Sequence, residues 1–328
     1  MKKKIDYVAI VKEAINITKR HRTLWWFGFL AIFSGSYSSF NYSFPSNNSE
    51  NGEISEMEMM SMLRKVSFYW ELYKEWIILG IILIVILLIA LYIIGLIGRG
   101  ALINSIFKSI KKEAFSFSSG LKTGVYFLGR LFLIKLFFSV AFLILAFVLI
   151  FPIVRLAVLE SYTIAISLGI VAFLLLVSSA ILFFYFRRYG EMYLIGSDLS
   201  ISNSIKLAYR LFEKNIKESL LMGLVLIALN IVVGVVMVFV LLGLLIPLGI
   251  AGAIIYKLAG ELTIIILAVI AILIFIGFLF LFSSILNVFF EAVWILFFHE
   301  IAKGDKNDLL EKEKSVELSA EAEPGMPV

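Results

Sequence analysis

The side chains able to do chemistry in this chain are few and scattered. There is no cysteine, and the only histidines are His21 and His299. That excludes a disulfide framework, a thiolate metal site, a thiol nucleophile and a histidine-rich metal centre. The most pointed single residue is Glu291, set between Phe290 and the apolar run 293–298. Ser284, Asn287 and Glu291 are spaced by three and four, which stacks them on one helix face. An ionisable group held among apolar residues at membrane depth faces the interior of a bundle and pairs with something. Arg99, Lys135, Arg187 and Arg188 are the candidate partners, and Glu191 belongs to the same set. A structural ion pair, or a carboxylate that reaches interfacial water, is the favoured reading of Glu291. A proton or substrate site, and coordination of a lipid headgroup, are the sharper alternatives. Asn230 lies within another apolar run, where an inter-helix hydrogen bond worth about 1 kcal/mol is the expected role.

Other constellations are weaker. Met57, Met59, Met60 and Met62 gather four of the nine methionines, and thioethers are soft ligands suited to Cu(I). With no histidine or cysteine beside them, an amphipathic helix that turns Met and Leu63 towards the membrane is the better account. His299-Glu300 is followed by Lys303 where a zinc-protease helix has its second histidine. There is no P-loop, no Gly-x-Ser-x-Gly elbow and no paired acidic cluster. No cofactor and no catalytic residue is therefore expected.

The elements that must position these residues are legible from composition. Of the 328 residues 61% are hydrophobic and 16% charged, with 30 Phe, whereas a soluble domain is about 45–50% apolar and about 25% charged. Residues 76–98, 161–186, 219–256 and 262–290 contain no Asp, Glu, Lys or Arg. Each exceeds the roughly 18–20 residues that carry a helix across a bilayer core of about 30 Å. The fold class is an all-α integral membrane protein. Six spans are expected, at 23–40, 76–103, 131–154, 160–186, 219–246 and 262–298, with an outer loop at 34–75. The first is short, and charge supports it. With both termini in the cytoplasm, 24 of the 29 Lys and Arg fall on the inside, as the positive-inside bias requires. Net charge of +5 then reflects topology, not nucleic acid. Trp25 and Trp26 suit the inner headgroup level. Pro247 is expected to end the fifth span, leaving 249–262 on the outer surface or re-entrant. Residues 1–302 form one transmembrane domain, and 303–328 read as a disordered cytoplasmic tail.

An amphipathic stretch precedes each odd span. Val11-Lys12-Glu13-Ala14-Ile15, Leu121-Lys122-Thr123-Gly124-Val125 and Ile205-Lys206-Leu207-Ala208-Tyr209 each place a small residue two after the lysine. Arg20, Arg130 and Lys214 follow those lysines at eight residues. The reading is three parallel repeats, each an in-plane helix followed by a transmembrane hairpin, with lysines snorkelling to the anionic inner leaflet. Ser116 and Ser200 are placed to cap the second and third helices. The even spans also end alike, in Gly98-Arg99-Gly100, Arg188-Tyr189-Gly190-Glu191 and Phe290-Glu291-Ala292. Gly120 and Gly124 form a Gly-x-x-x-Gly motif suited to helix docking.

The amphipathic start, the motif Leu24-Trp25-Trp26-Phe27-Gly28-Phe29-Leu30 and the later Ser-x-Ser helices resemble a loose group of bacterial and archaeal membrane proteins. That group is similar to the membrane domain attached to some glycerophosphodiester phosphodiesterases. In those enzymes catalysis resides in a separate soluble barrel, so the resemblance implies no hydrolase activity here. The expectation is a non-enzymatic component of a prokaryotic cytoplasmic membrane, serving transport, lipid handling or an accessory role. Its partners would be membrane lipids and a membrane or cytoplasmic protein. A proton- or ion-coupled transporter with a site around Glu291 is the second reading, and an intramembrane enzyme the third.

Overall fold

A computed structural model describes the backbone of residues 5–35 and 56–321. Side chains are described there too, except at 56–58, 62, 63, 66, 255–266 and 304–321. Among the described residues every regular element is helical. They run α1 (Tyr7–Arg20), α2 (Thr23–Ile32), α3 (Glu56–Ile110), α4 (Phe117–Val158), α5 (Tyr162–Gly196), α6 (Ile201–Lys214) and α7 (Ile216–Glu321). Five stretches are long and apolar enough to cross a membrane: Ser67–Ile110, Phe117–Val158, Tyr162–Gly196, Ile216–Ile254 and Leu267–Lys303. The sixth expected span, 23–40, is represented by the ten-residue α2, and the rest of it lies outside the described residues beyond Gly35.

Tyr185 donates a hydrogen bond to the carbonyl of Ser219 at 2.9 Å and meets Trp294 edge to face with ring centroids 5.8 Å apart. A straight helix would separate Ser219 and Trp294 by about 110 Å. The helical run of α7 therefore doubles back, as one arm leaving the packed end and a second returning to it. Helical backbone continues past Pro247, where the sequence reading ends a span. Proline within an apolar helix costs one backbone hydrogen bond, which membrane helices tolerate. Two other boundaries move. The second half of the expected outer loop, from Glu56, is the first part of α3. The tail is helical through Glu321, consistent with its content of the helix formers Leu, Glu and Lys.

The core lies at one end. The most apolar window of each of the five long stretches is 0–11% buried, so these helices stand as exposed arms. Leu96–Phe107 of α3, the first half of α4, the last third of α5, α1, α2, α6 and both ends of the α7 hairpin instead close on one another.

The three amphipathic stretches bury matching faces. In α1 the buried residues are Ile10, Ala14, Ile17 and Thr18; in α6 they are Ser204, Ala208, Leu211 and Phe212. Gly120, Gly124 and Phe127 follow the same spacing in α4. This is the stripe of an amphipathic helix resting on a core. Each lies against the end of a different arm: α1 on the returning arm of α7 through Tyr7 and Phe297, the start of α4 on α3, and α6 on α5 through Tyr185, Phe186 and Phe212. The second stretch is continuous with its arm, whereas α1 and α6 are set off by breaks at His21 and Asn215. Ser116 caps α4 through a reciprocal box with Ser119. Ser200 stands at the cap position of α6 without a side-chain bond. Asp6 caps α1 by accepting from the Ala9 amide at 3.0 Å.

His21 marks the break between α1 and α2 and packs on Phe115, with ring centroids 5.2 Å apart. Partial burial, then the charge of Arg20, lowers its pKa from the usual 6.5. The folded chain therefore holds fewer protons here than the unfolded one. The contribution of His21 to stability is complete above pH 6.5 and declines as pH falls below it. An NMR titration of the His21 ring is expected to give a midpoint below 6.5 that moves upward in Phe115→Ala. A midpoint at or above 6.5 in the unaltered protein contradicts this account.

Candidate functional site

The three similar arm ends meet in a buried layer of charge. Arg99 of α3 donates from Nε to Glu191 Oε2 at 2.7 Å, and its Nη2 reaches the same oxygen. Arg188 of α5 donates from Nη2 to Glu291 Oε2 at 2.7 Å, and Arg99 Nη1 lies 3.8 Å from that oxygen. Arg99 and Arg188 are each 4% exposed, and Glu191 and Glu291 each 1%. Of the candidate partners for Glu291, the structure thus brings Arg188 into contact and Arg99 to the edge of ion-pair range. Charge-assisted bonds of this length are the strong class of hydrogen bond. The Arg188 guanidinium also sits 5.6 Å from the centre of the Trp294 ring, a cation–π distance.

Lys135, 8% exposed, turns elsewhere. Its ammonium donates to the Ser34 carbonyl at 3.0 Å and lies 5.9 Å from the Tyr92 ring. Ser34 closes the turn that follows α2, so a cation meets the carbonyl end of a short helix, where the helix dipole favours it. Arg187 is half-buried beside Arg188.

Ser284 and Asn287 share the face of Glu291, as the spacing predicts, but they serve α2. Ser284 donates its hydroxyl to the Trp25 carbonyl, and Asn287 Nδ2 donates to the Gly28 carbonyl at 2.9 Å. Gly28 allows the approach, since a Cβ there would collide with the Ser284 carbonyl and the Val288 side chain. Asn230 corrects the expectation of an inter-helix bond: its Nδ2 donates to Leu226 O at 2.8 Å within its own helix. That is the carbonyl one turn back, available without any neighbour. Met59 and Met60 are exposed, and the side chains of Met57 and Met62 lie outside the described ones. Gly124 of the Gly-x-x-x-Gly motif meets the Ile97 backbone of α3, and Gly120 meets the Phe27 ring.

Sequence reasoning missed a second polar group beside the charged layer. Tyr189 donates to Ser219 Oγ at 2.8 Å, Ser219 Oγ donates to Asn215 O at 2.7 Å, and Tyr185 takes the Ser219 carbonyl. Tyr185 and Tyr189 are spaced by four on the same arm as Arg188, a signal that a search confined to charged residues passes over. Four buried polar atoms of the layer have no hydrogen-bond partner: Glu191 Oε1, Glu291 Oε1, Arg188 Nε and Trp294 Nε1. Two accept and two donate, so the layer retains polar capacity that its own pairs do not use. Chemically it can fix three arms in register and hold charge out of water.

Among the described residues, five membrane-length helical stretches, three of them tied at one end by this layer, define an all-α, membrane-embedded protein. No known protein family, curated protein or solved structure matches the chain.

Proposed function

We propose that this is a non-enzymatic, multi-pass component of a prokaryotic cytoplasmic membrane, with its packed end and both termini inside. It works as a lipid-handling or accessory scaffold whose arms meet lipid and a partner membrane protein. The observation that carries this reading is the contrast between the arms and their base. The arms bury at most 11% of their most apolar window, while Arg99, Arg188, Glu191 and Glu291 are engaged in ion pairs, Ser284 and Asn287 hold α2, Lys135 holds the Ser34 carbonyl and Asn230 bonds within its own helix. Transporter sites instead gather polar groups between spans near mid-depth. Six crossings and a threefold repeat belong to the proposal. The matched buried faces of the amphipathic stretches support the repeat, and the inside bias of positive charge supports the sixth crossing.

The second reading, a proton- or ion-coupled site at Glu291, draws on the four unpartnered polar atoms of the charged layer. One experiment separates the two, and the absence of native cysteine makes it clean. Single cysteines at Ser284, Asn287 and Ala292, which are 3%, 2% and 0% exposed, are probed with a membrane-impermeant maleimide in oriented vesicles. Silence at all three is expected of a dry structural junction. Labelling at Ser284 and Asn287, with none at a lipid-facing control such as Ile86, would establish a water-filled path and replace the scaffold reading by transport.

A further inference from the structure

A cleft of about 650 Å³ opens between the last turn of α1 and the end of α3, with Leu296 of α7 also in its lining. The lining includes Lys19, Arg20, Lys112 and His21, with a single carboxylate, Glu13. Its apolar members are Ile17, Ile110 and Leu296. A concave site that combines three cations with aliphatic carbon suits a molecule that carries both an anion and an apolar chain.

Cations at helix ends have an ordinary explanation, that they neutralise unpaired carbonyls. Here four of those carbonyls already have backbone partners, that of Ile17 in α1 and those of Phe107, Lys108 and Ser109 in α3. The His21 amide donates to Ile17 O at 3.1 Å, the Lys112 amide to Ser109 O at 3.1 Å and the Glu113 amide to Lys108 O at 2.9 Å. The last two close the end of α3 in the pattern that favours glycine at its left-handed residue. That residue is Lys112, with φ of 60°. The lysine in this conformation, which glycine adopts more freely, is one of the residues that line the cleft. Trp25 and Trp26 lie just beyond His21. Trp25 donates to the Thr18 carbonyl at 2.9 Å, and Trp26 is 66% exposed, the disposition of indoles at the headgroup level.

We infer that this cleft binds the phosphate of an anionic phospholipid headgroup, with Lys19, Arg20 and Lys112 around the phosphate and Ile17, Ile110 and Leu296 against the glycerol and upper acyl chain. The inference goes beyond the scaffold reading and does not need it, because binding in a detergent micelle depends on neither orientation nor partner. The full chain, purified in detergent, is offered an equimolar mixture of phosphatidylglycerol and phosphatidylcholine, and retained lipid is counted by native mass spectrometry. Preferential retention of phosphatidylglycerol is expected. The triple variant Lys19→Gln, Arg20→Gln, Lys112→Gln is expected to weaken it roughly 100-fold, about fivefold per cation near an anionic surface. A control removing three exposed cations elsewhere, Arg64→Gln, Lys65→Gln and Lys74→Gln, is expected to leave it nearly unchanged. Equal loss in both variants, or no loss in the first, overturns the site. Inorganic phosphate is titrated in parallel. If it saturates the unaltered protein but not the triple variant, while the lipid preference is absent, the cleft takes a soluble phosphate and the lipid assignment fails.

Discussion

Glu291→Gln is expected to lower the thermal aggregation midpoint of the detergent-solubilised protein sharply, with a loss of about 3–5 kcal/mol, the range for stranding one member of a buried ion pair. The size follows from the surroundings of the carboxylate. Arg188 bonds it at 2.7 Å and Arg99 stands 3.8 Å away, both arginines being 4% exposed. With the carboxylate gone, Arg99, Arg188 and Lys135 remain buried opposite Glu191 alone. The neutral amide keeps the shape and one acceptor but not the charge. Removing the stranded cation as well should restore part of the loss, so Glu291→Gln with Arg188→Met is expected to be more stable than Glu291→Gln alone. That non-additivity is the signature of direct coupling. Were the single variant fully stable and yet inactive in a flux measurement, Glu291 would be a coupling residue and the structural account would fall.

The second large effect is expected at Gly124. A Cβ there would run into the Ile97 carbonyl oxygen, and backbone cannot step aside as a side-chain tip can. Gly124→Ala should therefore separate α4 from α3 just below the charged layer, costing about 1–3 kcal/mol as an overpacked contact does. Gly129 lies on the same helix with open space around its Cβ position. Gly129→Ala is expected to be neutral or to stabilise by up to about 1 kcal/mol through helix propensity. Midpoints for the two variants, measured side by side, give the comparison. A Gly124→Ala protein as stable as Gly129→Ala would mean that α3 and α4 do not touch through their backbones.

The arms were legible because one physical variable, uninterrupted apolarity over membrane length, determines them. The charged layer was half legible. Glu291 and its cations could be named from their place at the ends of apolar runs, and two of the four candidate partners prove to reach it. Which cations those are could not be read, since Lys135 and Arg188 have equal claims by position. The use of Ser284 and Asn287 was out of reach for a different reason. Their partners are backbone carbonyls of α2, 259 residues earlier in the chain, and a carbonyl leaves no mark on residue type. Pro247 misled because the rule that proline ends helices weakens where apolar surroundings leave the backbone no other partner than itself. The amphipathic stretches were found by residue spacing. Their shared buried face then followed from the same helical period.

The bonds from α7 to α2 also set an order of events for biogenesis. The short apolar helix α2 emerges from the ribosome well before the residues that hold Trp25 and Gly28, which are made 259 residues later. At 5–20 residues per second that interval is roughly 13–50 s. During it α2, too short to cross a bilayer unaided, has no Ser284 or Asn287 to lean on, and Arg99 and Arg188 have no Glu291. The helix that carries Ser284, Asn287 and Glu291 is therefore the one that completes α2, and a nascent chain stalled before it would leave Arg188 without its carboxylate.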